Sequence, residues 1–96
     1  MRPSAALDLH RETVRELVAA HKLTNPRVFG SVVDGDDTED SDLDLLVDPI
    51  EETSLFDVVD LHASLEALLQ VKVDVLTPRA LSRYFRDDVL RSAVPI

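Results

Sequence analysis

The stretch Asp42-Leu43-Asp44-Leu45-Leu46-Val47 decides how the rest of the chain is arranged. It alternates polar and apolar residues at first and then becomes continuously apolar, which predicts a strand whose beginning meets solvent and whose end is buried. Side chains two apart on a strand point to the same face, with their Cα atoms about 6.6 Å apart. We therefore expect Asp42 and Asp44 to direct two carboxylates at one site.

Helices are expected before and after this strand in the sequence. Ser4 is a candidate N-cap for a first helix that runs to about His21, and Thr53 or Ser54 is expected to begin a second long helix. Thr77-Pro78 combines an N-cap with a proline at the first helical position, which predicts a last helix. A 3.6-residue spacing predicts this second helix and puts the following residues on one side of it: Leu55, Val58, Val59, His62, Leu65, Leu68 and Leu69.

Two further strands complete the expected sheet. Asn25-Pro26 is expected to end the first helical unit, and Arg27-Val28-Phe29 predicts a strand that leads to a tight turn at Gly30-Ser31 and a short helix. Val71–Leu76 alternates again and predicts a third strand. The order α, β, short α, β, α, β, α indicates one α+β domain over residues 1–96, with a small sheet flanked by helices.

The composition narrows the classes of function. The chain carries 19 acidic and 10 basic side chains, and its net charge of −9 argues against non-specific binding to nucleic acid or to an anionic membrane. An acidic total is compatible with divalent cation sites and with a basic partner protein. The sequence has no cysteine, and no apolar run approaches the roughly 20 residues of a membrane span. We therefore expect a cytoplasmic protein.

Three residues outside the central strand complete a candidate site. Asp74 stands alone among apolar residues of the third strand, so a metal ion or an arginine of the last helix should compensate its charge. If the two strands are neighbours, Asp74 would face the same metal as Asp42 and Asp44 and could accept a proton from an incoming hydroxyl. Gly30 permits close backbone approach, and the helix start at Ser31 offers donors to a phosphate. One or two Mg²⁺ ions would suit such carboxylates.

Each feature also has a purely structural interpretation. A Gly-Ser pair is a common turn, and an Asp-x-Asp pair after a polar loop is often the solvated beginning of a strand. Asp40, Asp42, Asp44 and Glu51 also match positions 1, 3, 5 and 12 of an EF-hand calcium loop. We reject the calcium loop because Leu45 occupies the position that requires glycine and no helix leads into the segment.

Taken in order, three segments carry a family resemblance: Val28-Phe29-Gly30-Ser31, then Ser41–Val47, then Val73-Asp74-Val75-Leu76-Thr77-Pro78. They resemble the minimal nucleotidyltransferases (MNT domains) of the DNA polymerase β superfamily, and the similarity covers essentially the whole chain. A Gly-Ser pair followed by Asp-x-Asp and by a later strand aspartate is more specific than any of its parts.

The resemblance implies a mixed sheet with flanking helices and a site for nucleotidyl transfer. Asp42, Asp44 and Asp74 would hold Mg²⁺, and Gly30 and Ser31 would bind the triphosphate of ATP. Many members of the family are encoded beside HEPN-domain ribonuclease toxins, and antitoxins among them transfer AMP from ATP to a tyrosine hydroxyl of the toxin. The resemblance thus implies the antitoxin of a type VII pair, with a HEPN-type toxin as its partner in a hetero-oligomer.

The segment after the Gly-Ser turn departs from the family pattern. Members often have a basic residue before the next glycine, whereas this chain reads Val32-Val33-Asp34-Gly35, and a carboxylate at Asp34 would repel a triphosphate. A second hypothesis is therefore a weakly active or inactive domain that neutralises its partner by contact alone. A third, transfer to a small molecule or an RNA end, has less support because the chain has no substrate domain and is acidic.

Overall fold

A computed structural model describes residues 1–96 as four helices, four strands and one 3₁₀ turn. In chain order they are α1 (Pro3–Ala20), β1 (Leu23–Phe29), α2 (Ser31–Asp34), β2 (Leu43–Pro49), α3 (Leu55–Leu69), β3 (Val73–Leu76), the 3₁₀ turn (Pro78–Ala80), α4 (Arg86–Ser92) and β4 (Val94–Pro95). None of the helices combines the length and the apolar character that a membrane span needs.

The four strands form one mixed sheet in the order β3-β2-β1-β4. β1 runs antiparallel to both β2 and β4, whereas β2 and β3 run parallel and are joined by α3. Such a helical crossover is what parallel neighbours require. The expected α+β class with a small mixed sheet is confirmed. β2 lies between β1, which leads to Gly30, and β3, which carries Asp74.

The main core fills one side of the sheet. Leu43, Leu45 and Val47, which alternate along β2, are fully buried in one cluster with apolar side chains of α1 and α3. The members of that cluster from the two helices are Ala6, Leu7, Val14, Val18, Leu61, Leu65 and Leu69. Because side chains alternate along a strand, Asp44 points to the opposite face of the sheet, away from both helices.

The start of α1 differs from the boundary expected at Ser4. The helix begins at Pro3, where a missing N–H costs nothing in the first turn, so Ser4 is not its N-cap. The Ser4 backbone N–H instead donates to Asp37 Oδ2 at 3.0 Å. This hydrogen bond ties the first turn of the helix to the loop before β2, and it holds the pKa of Asp37 below its usual value.

The start of β1 also lies earlier than expected. The strand begins at Leu23 rather than Arg27, and Asn25-Pro26 lies inside it instead of ending the preceding unit. The pairing with β2 shifts register between Thr24 and Arg27, and Asn25 has a φ of 52°. Such a bulge lets the strand continue past a proline that cannot donate to the ladder.

The start of α3 is confirmed, but the side that carries the 3.6-residue spacing is not the buried one in the first turns. Ser54 is the N-cap, and its backbone N–H donates to Asp57 Oδ2 at 2.8 Å in a capping box. Leu55 and Val59, which belong to that spacing, are 77% and 55% exposed. Leu61 is buried instead, about 240° around the helix from Leu55. Both sides of this segment are apolar, so the period alone could not select the buried one.

The segment after β3 is not the single helix expected at Thr77-Pro78. These residues open only the 3₁₀ turn, and α4 begins at Arg86. Leu81 is buried, whereas Tyr84 and Phe85 are 82% and 50% exposed. The chain passes here from β3 at one edge of the sheet to β4 at the other, and it is not helical between the 3₁₀ turn and α4. β4 pairs through two residues only, too few to leave an alternating pattern in the sequence.

Candidate active site

The acidic pair lies where β2 begins. Leu43 is the first residue of the strand, so Asp42 immediately precedes it, and the expectation that both acids lie within the strand is wrong for Asp42. Asp42 is exposed, whereas Asp44 is half-buried. The Leu43 N–H donates to the Lys72 carbonyl at 2.8 Å, which fixes the beginning of β2 beside the beginning of β3.

Asp74 lies beside Asp44 on the neighbouring strand. β3 begins at Val73, two residues later than expected, and its parallel register pairs Asp44 with Asp74 on the same face of the sheet. Neighbouring strands are about 4.8 Å apart, so the two carboxylates are close. Asp74 is exposed and takes part in none of the four ion pairs. The buried environment and the arginine partner that we considered for Asp74 are therefore wrong.

Asp44 is the carboxyl group of the site whose charged form is disfavoured. Partial burial, then the charge of Asp74, a hydrogen bond with Asp74 and the charge of Asp42 together raise the pKa of Asp44 to about 6. Adding a divalent cation would offset this repulsion, and carboxylate oxygens are the ligands that Mg²⁺ prefers. The chemistry of these three side chains therefore fits a magnesium site.

The three carboxylates do not form a closed cluster. No group of three or more histidine, aspartate or glutamate side chains is arranged to hold a metal ion. The strand pairing brings Asp44 and Asp74 together, while Asp42 and Asp74 are exposed and can change rotamer without disturbing the core. The set of three as metal ligands stays a prediction.

Gly30 brings the turn after β1 against Asp44. Phe29, the last residue of β1, pairs with Asp44, so the chain turns directly beside this carboxylate. A Cβ atom at Gly30 would overlap Asp44 Oδ2 and would lie 3.4 Å from Asp44 Cγ, and the φ of Gly30 is +77°. Both the space and the left-handed conformation thus favour glycine. The Gly30-Ser31 turn and Asp44 are in contact, although they are separated in sequence by the whole loop before β2.

Asp34, the residue that departs from the family pattern, lies at the far end of α2. It is exposed, and it follows Ser31 by about 4.5 Å along the helix axis. Its backbone N–H donates to the Gly30 carbonyl at 3.1 Å, as does that of Val33. The backbone of Asp34 therefore stabilises the turn, while its exposed carboxylate lies one helical turn from Ser31, near enough to repel a phosphate bound there.

A polar cavity of about 450 Å³ adjoins the site where β2 and β3 begin. Asp42 contributes to its wall, whereas Asp44, Asp74 and Gly30 do not. The lining residues are Met1, Glu39, Asp40, Ser41, Asp42, Gln70, Val71 and Lys72. Sequence reasoning missed Lys72, the only lysine or arginine in this wall. Its position two residues before Asp74, on the same side of an alternating segment, was the available signal.

A comparison with known proteins identifies the family. A family model described as "Polymerase beta, Nucleotidyltransferase" matches residues 12–96. The chain belongs to the polymerase β nucleotidyltransferase family. A protein of Thermococcus cleftensis named protein adenylyltransferase MntA is 39% identical over 88 residues. The matched part covers 92% of this chain and 86% of that protein.

Solved structures confirm the nucleotidyltransferase fold. One, provisionally described as a minimal nucleotidyltransferase, is 45% identical and has a TM-score of 0.87 over 97% of this chain and 95% of the other. Another comes from a complex of a tri-AMPylated Shewanella oneidensis HEPN toxin with an MNT antitoxin. It is 20% identical, with a TM-score of 0.68 over 92% of this chain and 69% of the other, and so bears on the fold alone.

Proposed function

We propose that this chain is a Mg²⁺-dependent nucleotidyltransferase that transfers AMP from ATP to a hydroxyl of a partner protein. One observation carries the proposal: the Gly30-Ser31 turn lies against Asp44, and Asp44 is paired in register with Asp74. The turn that we propose to bind phosphate therefore lies beside the carboxylates that would hold a cation. This is the arrangement that an in-line displacement at a phosphate needs.

Each residue of the site would have its own role in the reaction. Asp42, Asp44 and Asp74 would hold Mg²⁺, and the ion would supply positive charge to the reacting phosphate. Gly30 lets the triphosphate approach the backbone, and the Ser31 hydroxyl donates a hydrogen bond to it. The acceptor oxygen attacks the α-phosphorus of ATP, the bond to pyrophosphate breaks, and Asp74 accepts the proton of the acceptor hydroxyl. Pyrophosphate leaves, and a phosphodiester joins AMP to the acceptor.

The acceptor in this proposal is a tyrosine of a HEPN-type toxin, and the chain is the cytoplasmic antitoxin of a type VII pair. The similar Thermococcus cleftensis protein is named a protein adenylyltransferase, which supports a protein acceptor. The complex that contains the chain of similar fold includes a HEPN toxin that carries AMP groups, which supports AMP as the transferred group and a HEPN-type partner. The net charge of −9 suits a partner with a basic surface.

Labelling of a HEPN-type protein tests the transfer reaction. Incubation with ATP labelled in its α-phosphate and with Mg²⁺ should transfer label to that protein, and chelation of the metal should stop the transfer. Asp42→Asn/Asp44→Asn should lower the initial rate at least about 100-fold, because the ligands of the cation are lost. The matched control is Glu16→Gln/Asp87→Asn, which removes two exposed acids away from the site. Equal labelling by the wild type and the Asp42/Asp44 variant would refute the mechanism.

A second candidate function is neutralisation of the partner by contact alone, which the exposed carboxylate of Asp34 close to the Gly-Ser turn favours. Under this alternative, Asp42→Asn/Asp44→Asn would still protect cells from the HEPN-type protein. Loss of protection by a variant that still forms the complex would exclude contact as the mechanism. If contact is excluded and the chain does transfer AMP, Asp34→Lys should raise the rate of transfer, since it removes a charge that repels triphosphate.

A further inference from the structure

The outer side of α3 carries an apolar stripe that the fold does not use. Leu55, Phe56 and Val59 are 77%, 79% and 55% exposed. Ala63 and Ala67, also exposed, extend the same side of the helix toward its end. At 100° per residue these five side chains fall within about 120° of the helix circumference. Glu66 lies in the same arc, but its carboxylate pairs with His62 and accepts the Val73 N–H. We call them the α3 stripe: Leu55, Phe56, Val59, Ala63 and Ala67.

The stripe is not needed for the stability of the domain. Leu61, Leu65 and Leu69, on the opposite side of α3, are all buried against the sheet and α1. The Ser54–Asp57 capping box fixes the first turn, so Leu55 and Phe56 are presented on an ordered backbone. Binding through a pre-ordered surface loses little conformational entropy. A contiguous apolar surface of this kind on a folded chain typically marks a place where another protein binds.

Charge around the stripe determines which occupant fits. Glu51 and Glu52 precede the helix, and Asp60 lies beside Phe56 on the helix; all three are exposed, and none forms an ion pair. Lys22 is also exposed and lies near Asp57 in the first turn of α3, so acidic side chains outnumber lysine and arginine around the stripe. A second copy docked by a two-fold axis would bring two identical acidic rims together, which is unfavourable. A partner with lysine or arginine around an apolar centre would instead gain attraction at the rim.

We propose that the α3 stripe is a docking surface for a protein that presents apolar side chains framed by lysine or arginine. α3 packs on the face of the sheet opposite to Asp44, so a partner on its outer side leaves the Gly30-Asp44-Asp74 face open. Docking on α3 and nucleotide binding therefore use separate surfaces, and the acceptor hydroxyl has to come from a part of the docked partner that extends around the sheet or from a second copy of that partner. The proposal rests on the proposed function only for the choice of the HEPN-type protein as the probe.

A binding measurement with matched aromatic variants tests the stripe. The HEPN-type protein used in the labelling assay is titrated with the full chain, with Phe56→Ser/Val59→Ser and with Tyr84→Ser. Tyr84 is the matched control because its ring is 82% exposed, as against 79% for Phe56, and lies outside the stripe. We expect the stripe variant to bind about 30-fold more weakly, as for an aromatic anchor at an interface, and Tyr84→Ser to bind within about 2-fold of the wild type.

A charge-reversal variant tests the rim by a second route. Glu51→Lys/Glu52→Lys/Asp60→Lys should weaken binding at low salt, and the salt dependence seen with the wild type should become shallower. The substituted residues are exposed, so thermal unfolding of the variant should stay close to that of the wild type.

Several outcomes would overturn the docking proposal. These are absence of binding by the wild type, equal binding by the stripe variant, and a wild-type dimer in sedimentation that Phe56→Ser/Val59→Ser converts to a monomer. Asp42→Asn/Asp44→Asn separates this proposal from the function proposed above, since it should bind the probe normally. Binding that depends on Phe56 without any labelling would leave the docking surface standing and the transfer reaction refuted. Labelling that does not depend on Phe56 would support the transfer reaction and refute the docking surface.

Discussion

The two faces of β2 differ in what they contribute to the molecule. Leu43, Leu45 and Val47 point into the core and are fully buried. Asp44, on the same strand, points to the other face, where partial burial and two neighbouring carboxylates raise its pKa to about 6. One face therefore packs into the main core along the whole strand. The other face buries Leu46 but at its beginning accumulates like charge that a folded protein without a ligand does not need. Such a conflict with stability is typical of a functional site.

Removal of a core side chain should have the largest effect on stability. Leu45→Ala should lower the free energy of unfolding by about 3 kcal/mol, because it removes transfer free energy and leaves a cavity in close-packed surroundings. Leu9→Ala is the control, since Leu9 is 66% exposed and should change stability by less than about 0.5 kcal/mol. Urea unfolding followed by circular dichroism measures both. A loss below about 1 kcal/mol for Leu45→Ala would contradict the assignment of this face to the core.

Substitution of Gly30 should affect both the fold and the site. Gly30→Ala forces alanine to φ +77° and ψ −146°, a region that essentially only glycine adopts, at about 1–3 kcal/mol, and its Cβ would push Asp44 Oδ2 aside, so transfer should be lost as well. Gly35→Ala is the control for the positive φ, because its φ is +76°, its conformation is left-handed helical and nothing lies within 4 Å of the added Cβ. We expect both variants to be less stable than the wild type, with the larger loss for Gly30→Ala. Only Gly30→Ala should lose the labelling of the partner. Equal activity of the two variants would show that the contact with Asp44 is irrelevant.

The stability of the metal-free protein should depend on pH through Asp44. The pKa of Asp44 is raised from 3.8 to about 6, so the folded state favours the protonated form. The stabilising contribution of the protonated Asp44 carboxyl is fully present below about pH 3.8 and is lost as the pH rises through about 6. Asp44→Asn should abolish that loss and make the metal-free protein more stable than the wild type at pH 8. Thermal unfolding in chelator between pH 4 and 8 tests this, and a variant less stable than the wild type at pH 8 would contradict it.

Asp37 should show the opposite dependence, with a smaller effect. The Ser4 backbone N–H holds the pKa of Asp37 below its usual value of 3.8, so its stabilising contribution is present above that pH and is lost as the pH falls through the lower folded value. Asp37→Asn should therefore reduce stability at neutral pH and flatten the acid side of the profile. Asp36→Asn, an exposed neighbour, serves as the control. An unchanged profile would show that the tie between α1 and this loop contributes nothing.

The sequence predicted the fold class and the neighbourhood of the site because both depend on local patterns. The alternation in β2 and the Gly-Ser turn each leave a signal within a few residues. The environment of Asp74 could not be predicted, because the edge position of β3 depends on the order of strands. The buried side of α3 was missed for a related reason: Leu55 and Leu61 are equally apolar, and only the position of the sheet distinguishes them. β4 depends on pairing with β1, over sixty residues earlier in the chain.

Chemical-shift mapping of a bound nucleotide tests the central claim most directly. Titration of isotopically labelled protein with a non-hydrolysable ATP analogue and Mg²⁺ should shift the amide resonances of Gly30, Ser31, Asp44 and Asp74. The amides of Phe56 and Val59 on the α3 stripe should stay unchanged, and without Mg²⁺ the shifts should be much smaller. No response at Gly30 and Asp44, or a response centred on α3, would contradict the assignment of the acidic face of β2 as the nucleotide site.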